Sequence, residues 1–190
     1  MAFTNTLTVL NALKAKLEAL QWTPQGGPAE AAFKRVDLFD ISEIETAIEE
    51  LFVFKDRVCF VVLDSEHFDN EAATSTKVIS KMTRSVALLI ADRNYGKRQK
   101  ALIGTDASPG VLGLKDIVLN GDDSGPDSSV IGLLKNGNTD LRVFCRPVNG
   151  VFIRLQDKKR ENLAGRIVYE QDIEIRGGYF EASLGRGPIL

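Results

Sequence analysis

The chain has 190 residues, 44% of them hydrophobic, and a formal net charge of -2 from 24 Lys and Arg against 26 Asp and Glu. That length fits one domain, or one domain with an extended arm, and the apolar content is enough to bury a core. The slightly acidic balance argues against a protein that binds nucleic acid by neutralising many phosphates, and no apolar run approaches the ~20 residues of a membrane span.

The first predicted element is a helix. Leu7, Leu10, Leu13, Leu17 and Leu20 step by three and four and form an apolar stripe. Asn5 or Thr6 can cap its start, and Trp22-Thr23-Pro24 with Gly26-Gly27-Pro28 stops it. The stripe is too short to hold a coiled coil alone, so packing against a sheet is expected. The segment before it, Met1 to Thr6, lacks the basic and apolar regions of a signal peptide. Ala32–Leu38 reads as a strand near a sheet edge, with Phe33 and Leu38 as anchors. Ser42-Glu43-Ile44-Glu45 then reads as a capping box opening a helix whose buried face is Ile44, Ile48 and Leu51.

Arg57–Leu63 reads as a strand, and its continuous apolar run suggests a central position covered on both faces. Asp64–Thr83 is polar without a period and is expected to be loop. Ser85–Ile90 is a second central strand. Asn94-Tyr95-Gly96 and Ser108-Pro109-Gly110 are turn signals, and Leu112–Leu119 is a short helix with Leu114, Ile117 and Val118 inward. Gly121–Asp127 is loop by composition. Asn149-Gly150 lies between Leu141–Val148 and Val151–Leu155, which predicts a hairpin on a type I′ turn. Pro147 places its strand at an edge or a bulge. Asp157–Glu161 is a solvated turn, and Leu163–Ile175 is a last strand. The elements read α-β-α-β-β-α-β-β-β. The expected class is α+β, a mainly antiparallel sheet with helices on one face, formed by residues 1–176 and followed by an extended arm, 177–190.

Chemistry is sparse. Cys59 and Cys145 lie in apolar strands and read as reduced. Asp64, Glu66, Asp69 and Glu71, with His67 among them, form the best metal candidate, but the run lacks the glycine and spacing of a calcium loop. Gly104 and Gly110 are separated by five residues and followed by Val111, which is not a phosphate loop. A lone histidine gives little support to a Ser-His-Asp triad. No catalytic, cofactor or metal residue is expected. Arg93, Lys97, Arg98 and Lys100 surround Tyr95, a cluster suited to a protein contact or to phosphates with Tyr95 stacking. The arm carries Tyr179, Phe180, Leu184, Ile189 and Leu190. Those anchors suit either docking on a neighbour or folding back on the same domain.

The leucine-striped helix, the strand Phe33–Leu38, the capped helix Ser42–Leu51, the run Val58-Cys59-Phe60-Val61-Val62-Leu63, and Val86–Ile90 followed by Asp92-Arg93-Asn94-Tyr95-Gly96 together resemble tail terminator (tail completion) proteins of long-tailed, Mu-like contractile bacteriophages. The resemblance covers about the first two-thirds of the chain and rests on element order and texture. It implies a virion protein of the tail or neck, made in the host cytoplasm. Such a protein forms a hexameric ring that caps the tail tube, meets tube and sheath proteins, and joins the head-side connector. DNA passes through such a ring without being read for sequence. Arg93, Tyr95, Lys97, Arg98, Tyr179, Phe180, Leu184, Ile189 and Leu190 are the expected interface. The alternatives are a metal-dependent hydrolase or nuclease using Asp64, Glu66, His67 and Asp69, and a soluble protein-binding module.

Overall fold

The computed structural model describes residues 5–43, 46, 50, 56–69, 81–92, 103–122, 128–146, 151–154, 173–176 and 180–184. Helix α1 (Thr6–Ala19) opens with the Asn5 side chain accepting from the Leu7 amide at 2.8 Å. It buries Val9, Leu10, Ala12, Leu13 and Leu17. Leu7, expected on that stripe, is 61% exposed. Each three-residue step falls about 60° short of a full turn, so Leu7 rotates off the buried arc, and Val9 and Ala12 complete it. Strands β1 (Gln21–Trp22) and β2 (Glu30–Ala31) form a small antiparallel pair around the proline and glycines that end α1.

Strand β3 (Arg35–Asp40) starts three residues later than predicted. The turn after it is a 3₁₀ helix, Ile41–Glu43. The capping box sits two residues earlier than expected. The Asp40 carboxylate accepts from the Ser42 amide at 2.7 Å and from the Ser42 hydroxyl, while the Asp40 amide donates to Glu43 at 3.3 Å. This reciprocal exchange is the same chemistry with Asp in place of Ser. Those Ser42 hydrogen bonds hold the Asp40 carboxyl below its ordinary range. Glu45, Ile44, Ile48 and Leu51 lie outside the described residues.

Strands β4 (Val58–Asp69) and β5 (Lys81–Ala91) pair antiparallel at eleven positions, from Val58↔Ala91 to Asp69↔Lys81. Their register shifts once, between Leu63 and Ser65. Residues 64–69 and 81–83, both within the stretch expected to be loop, are therefore strand. Their polar composition hides them, because this end of the ladder carries no continuous apolar stripe, and partner pairing supplies what alternation does not. Helix α2 (Gly110–Asn120) follows and buries Gly110, Val111, Leu114 and Val118.

Strands β6 (Gly132–Asn136) and β7 (Thr139–Arg146) form a hairpin around Gly137-Asn138. The hairpin predicted across Asn149-Gly150 needs the strand after it to pair with β7, and among the described residues it does not. Strand β8 (Val151–Arg154) pairs instead with β9 (Ile173–Arg176) in a separate two-stranded sheet. Strand β7 is already flanked by β6 and by β10 (Phe180–Leu184). Residues 147–150 and 155–172 lie outside the described residues. Local turn chemistry favoured one hairpin, and long-range pairing selected another.

The main sheet has the order β3-β4-β5-β10-β7-β6. Only β3 and β4 are parallel; every other adjacent pair is antiparallel. One face carries α1 and α2, whose buried residues join Cys59, Val61, Val86, Leu88, Ile90, Leu134, Val143 and Cys145 in one core. On the other face Val58, Phe60, Val62, Ala87, Leu89 and Ala91 form a second buried cluster, with Phe39 packed against it. The fold is α+β, and both described helices lie on one face.

The β6–β7 turn has a checkable requirement. Gly137 has φ 58°, and a Cβ placed there meets nothing within 4 Å. Backbone handedness alone is at stake, at about 1–2 kcal/mol for an ordinary residue. Urea denaturation should show Gly137→Val destabilised by at least ~1 kcal/mol, and Gly137→Asn near wild type, because asparagine tolerates that conformation.

Candidate functional site

Three charged side chains are buried among the described residues: Arg57, Arg84 and Asp92. All three belong to the β4–β5 ladder or its ends. The sequence does not single them out, because Arg57 and Asp92 mark the borders of apolar runs and Arg84 falls between the polar stretch ending at Thr83 and the strand predicted from Ser85. The available signal was a charge immediately beside a fully apolar run, at the level where two strands end together.

Arg84 is fully buried and stands opposite Glu66 in the register. Its Nε donates to Glu66 Oε1 at 3.0 Å and to Thr6 Oγ1 at 3.0 Å. The Thr6 hydroxyl donates to the same carboxylate. This trio fastens the first turn of α1 to the polar end of the ladder. Burial lowers the pKa of Arg84, and the charge and hydrogen bond of Glu66 oppose that. Glu66 belongs to the acidic run weighed as a metal candidate, from which no metal residue was expected. It lies in β4 rather than a loop, and its carboxylate is engaged by Arg84. His67, the next residue, is exposed, and neighbouring strand positions face opposite sides of a sheet. Among the described residues no cluster of three or more His, Cys, Asp or Glu is placed to hold a metal ion.

Arg57 and Asp92 sit at the other end, one residue beyond the Val58↔Ala91 pair. The Arg57 guanidinium lies 5.1 Å over the Trp22 ring. It donates to Glu30 Oε1 and to the Ala31 carbonyl, each at 3.2 Å. These contacts hold the β1–β2 pair against the start of β4, and the Arg57 carbonyl accepts from the Lys34 amide at 2.8 Å. The Glu30 carboxyl is held below its ordinary range, first by its hydrogen bond from Lys34 and then by Arg57.

The Asp92 carboxylate accepts from the Gly110 amide at 2.8 Å and from the Ser108 hydroxyl. Pro109 precedes α2 without a side-chain cap of its own. Asp92 therefore supplies the missing acceptor from another element, near the positive end of the helix dipole. Burial raises the Asp92 pKa; Ser108, Gly110 and the charge of Arg57 pull it down, and Asp56 adds to the rise.

Of the expected interface residues, Arg93, Tyr95, Lys97, Arg98, Tyr179, Ile189 and Leu190 lie outside the described residues. Phe180 and Leu184 open and close β10, opposite Val86 and Met82 of β5. That segment, expected as an arm, lies within the sheet between β5 and β7. Residues 177–179 and 185–190 of that arm lie outside the described residues. An exposed apolar pair that the sequence did not suggest lies in the hairpin at the β6 edge of the sheet. Leu133 and Phe144, 50% and 46% exposed, are direct cross-strand partners in the β6–β7 hairpin. The segment Gly104–Gly110, set aside as a phosphate loop, is a tight turn. Thr105 and Ser108 exchange amide-carbonyl hydrogen bonds of 2.7 and 3.1 Å before the chain enters α2.

Both ends of the ladder are testable. Glu66→Ala removes a carboxylate from a buried guanidinium and should destabilise by about 2 kcal/mol, below the 3–5 of a fully buried pair because Glu66 is partly solvated. Adding Arg84→Met should recover part of that loss in a double-mutant cycle followed by urea denaturation. At Asp92 a raised folded pKa means that the folded state binds its proton more tightly than the unfolded state. Its stabilising effect is full at low pH and declines as pH rises from about 4 through the raised value. The stability of wild type minus Asp92→Asn should fall over that window and then level off. Arg57, Asp56, Ser108 and the Gly110 amide are the groups facing Asp92.

Scans against family models, curated proteins and solved structures find no match to this chain.

Proposed function

We propose that this chain is a non-enzymatic structural protein of a phage tail or neck. It assembles with itself into a ring that caps the tail tube and joins it to head-side connector proteins. The observation that carries the reading is the exposed Leu133–Phe144 pair in the β6–β7 hairpin, of which β6 is the sheet's edge strand. Two large apolar side chains at neighbouring positions of an edge hairpin suit contact with another protein surface. Two further features support it. A closed ring of identical subunits needs two different patches on each, and the main sheet offers two unlike edges. Strand β3 is rimmed by charge, with Arg35 bonded to Asp37 and Glu50 and with Lys14 3.5 Å from Asp37; β6 carries Leu133. The buried charges of the ladder each hold one element to another, a use that suits a scaffold. The element order of the first two-thirds of the chain also resembles tail terminator proteins, and that resemblance supplies the ring, the tail tube and the connector.

The test is native mass spectrometry with negative-stain imaging of the purified chain, wild type against Leu133→Glu/Phe144→Glu. A ring is expected for wild type. The double variant should keep the same circular dichroism and lose association by roughly two to four orders of magnitude, since each buried large apolar side chain contributes about 1.5–3 kcal/mol. A wild-type monomer at all concentrations, or a variant that associates normally, would sink the reading.

A further inference from the structure

We propose that the outer face of α1 receives the Leu133–Phe144 pair of a second copy of this chain. The inference deepens the ring reading above and rests on it. A head-to-tail contact needs a second, unlike patch on each subunit, and α1 supplies it.

Besides the hairpin pair, the large apolar side chains exposed among the described residues are Leu7 and Ile103. Leu7, 61% exposed, heads a row on α1. Asn11, Ala15 and Ala19 follow it at four-residue steps, which share one side of a helix, and all are exposed. The row runs for about 18 Å and carries no charge. The solvent side of a surface helix ordinarily carries charge, whereas depletion of charge marks the centre of a protein contact. The start of the row is fixed in place. The Leu7 amide donates to the Asn5 side chain, and Thr6 is bonded to Arg84 and Glu66. A surface held in this way gives up little freedom on binding.

The fit to the hairpin is one of size and charge. Leu133 and Phe144 are large and stand side by side, while Ala15 and Ala19 are small and leave room above the helix. The β3 edge, rimmed by the ion pairs of Arg35 with Asp37 and Glu50, offers no such seat. Exposed Lys135 lies two residues from Leu133, and exposed Glu18 adjoins Ala19, so opposite charges border the two patches. Glu18 is 3.7 Å from Lys14, and a carboxylate has acceptor sites for a second cation. Topology prevents the contact within one subunit. Leu134 and Val143, next to the pair in β6 and β7, lie in the core that α1 covers. Leu133 and Phe144 therefore stand on the side of the sheet away from α1.

The experiment is native mass spectrometry and sedimentation of the full chain, with circular dichroism as the control for folding. Leu7→Glu puts a carboxylate in the first turn of α1, where the helix dipole favours it. The fold should hold while association weakens at least about tenfold. Ala15→Glu, at an exposed position, should do the same. Glu18→Lys and Lys135→Glu should each weaken association about threefold, and together restore it. The decisive measurement is a mixture. The Leu7→Glu/Ala15→Glu chain keeps its hairpin pair, and the Leu133→Glu/Phe144→Glu chain keeps its helix face. Each alone should be monomeric, and an equimolar mixture should form a dimer and grow no further. Rings formed by the Leu7→Glu/Ala15→Glu chain, or a mixture that stays monomeric while wild type forms rings, would overturn the proposal and leave the ring reading intact. A monomeric wild type would overturn both.

Discussion

The antiparallel ladder of β4 and β5 is the constraint on which the rest of the molecule depends. Its eleven paired positions are apolar on both faces at one end and polar at the other. The apolar end must be covered twice, and the described architecture follows from that. Helices α1 and α2 cover one face, and Phe39, tilted against Phe60 at 5.0 Å between ring centroids, packs on the other. Strand β3 lies parallel to β4 along the apolar half alone, from Arg35↔Val58 to Asp40↔Leu63. Strand β10 takes the other side of β5, from Phe180↔Val86 to Leu184↔Met82.

The buried charges give this ladder its register and its attachments. A one-residue slip would turn every side chain to the opposite face. It would also separate Arg84 from Glu66 and strand a guanidinium in the core, which is far more costly than misplacing a methyl group. Arg84 therefore makes one alignment of β4 with β5 much better than its neighbours. Arg57 and Asp92 act at the far end, each holding a different element: the β1–β2 pair for Arg57, and the first turn of α2 for Asp92. In each case a charge taken out of water is matched by hydrogen bonds within a few ångströms, so burial and specificity arise together.

The surface divides in a related way. Charged pairs rim the β3 edge, while the β6 edge carries Leu133 beside Phe144. Unpaired strand edges invite association, and charge is the common protection against it. The contrast between a protected edge and an apolar one fits the proposed ring, in which each subunit would present unlike patches to its two neighbours.

How much of this was legible beforehand depends on the range of the forces involved. The α1 stripe, the apolar cores of β4 and β5, the α2 core residues Leu114 and Val118, and the α+β class follow from local periodicity, which a single segment carries in its own residues. The exceptions, Leu7 and the shift of the capping box to Asp40, are one- and two-residue errors of phase. The polar half of the ladder, the placement of Phe180–Leu184 inside the sheet, and the pairing of β8 with β9 rather than with β7 were decided by pairing between distant segments. So were the partners of Arg57, Arg84 and Asp92, which lie 16 to 78 residues away. Composition and periodicity determined which residues needed burial. The tertiary structure decided what each would be buried against, because a hydrogen bond or a strand pair has two members and a local pattern contains only one of them.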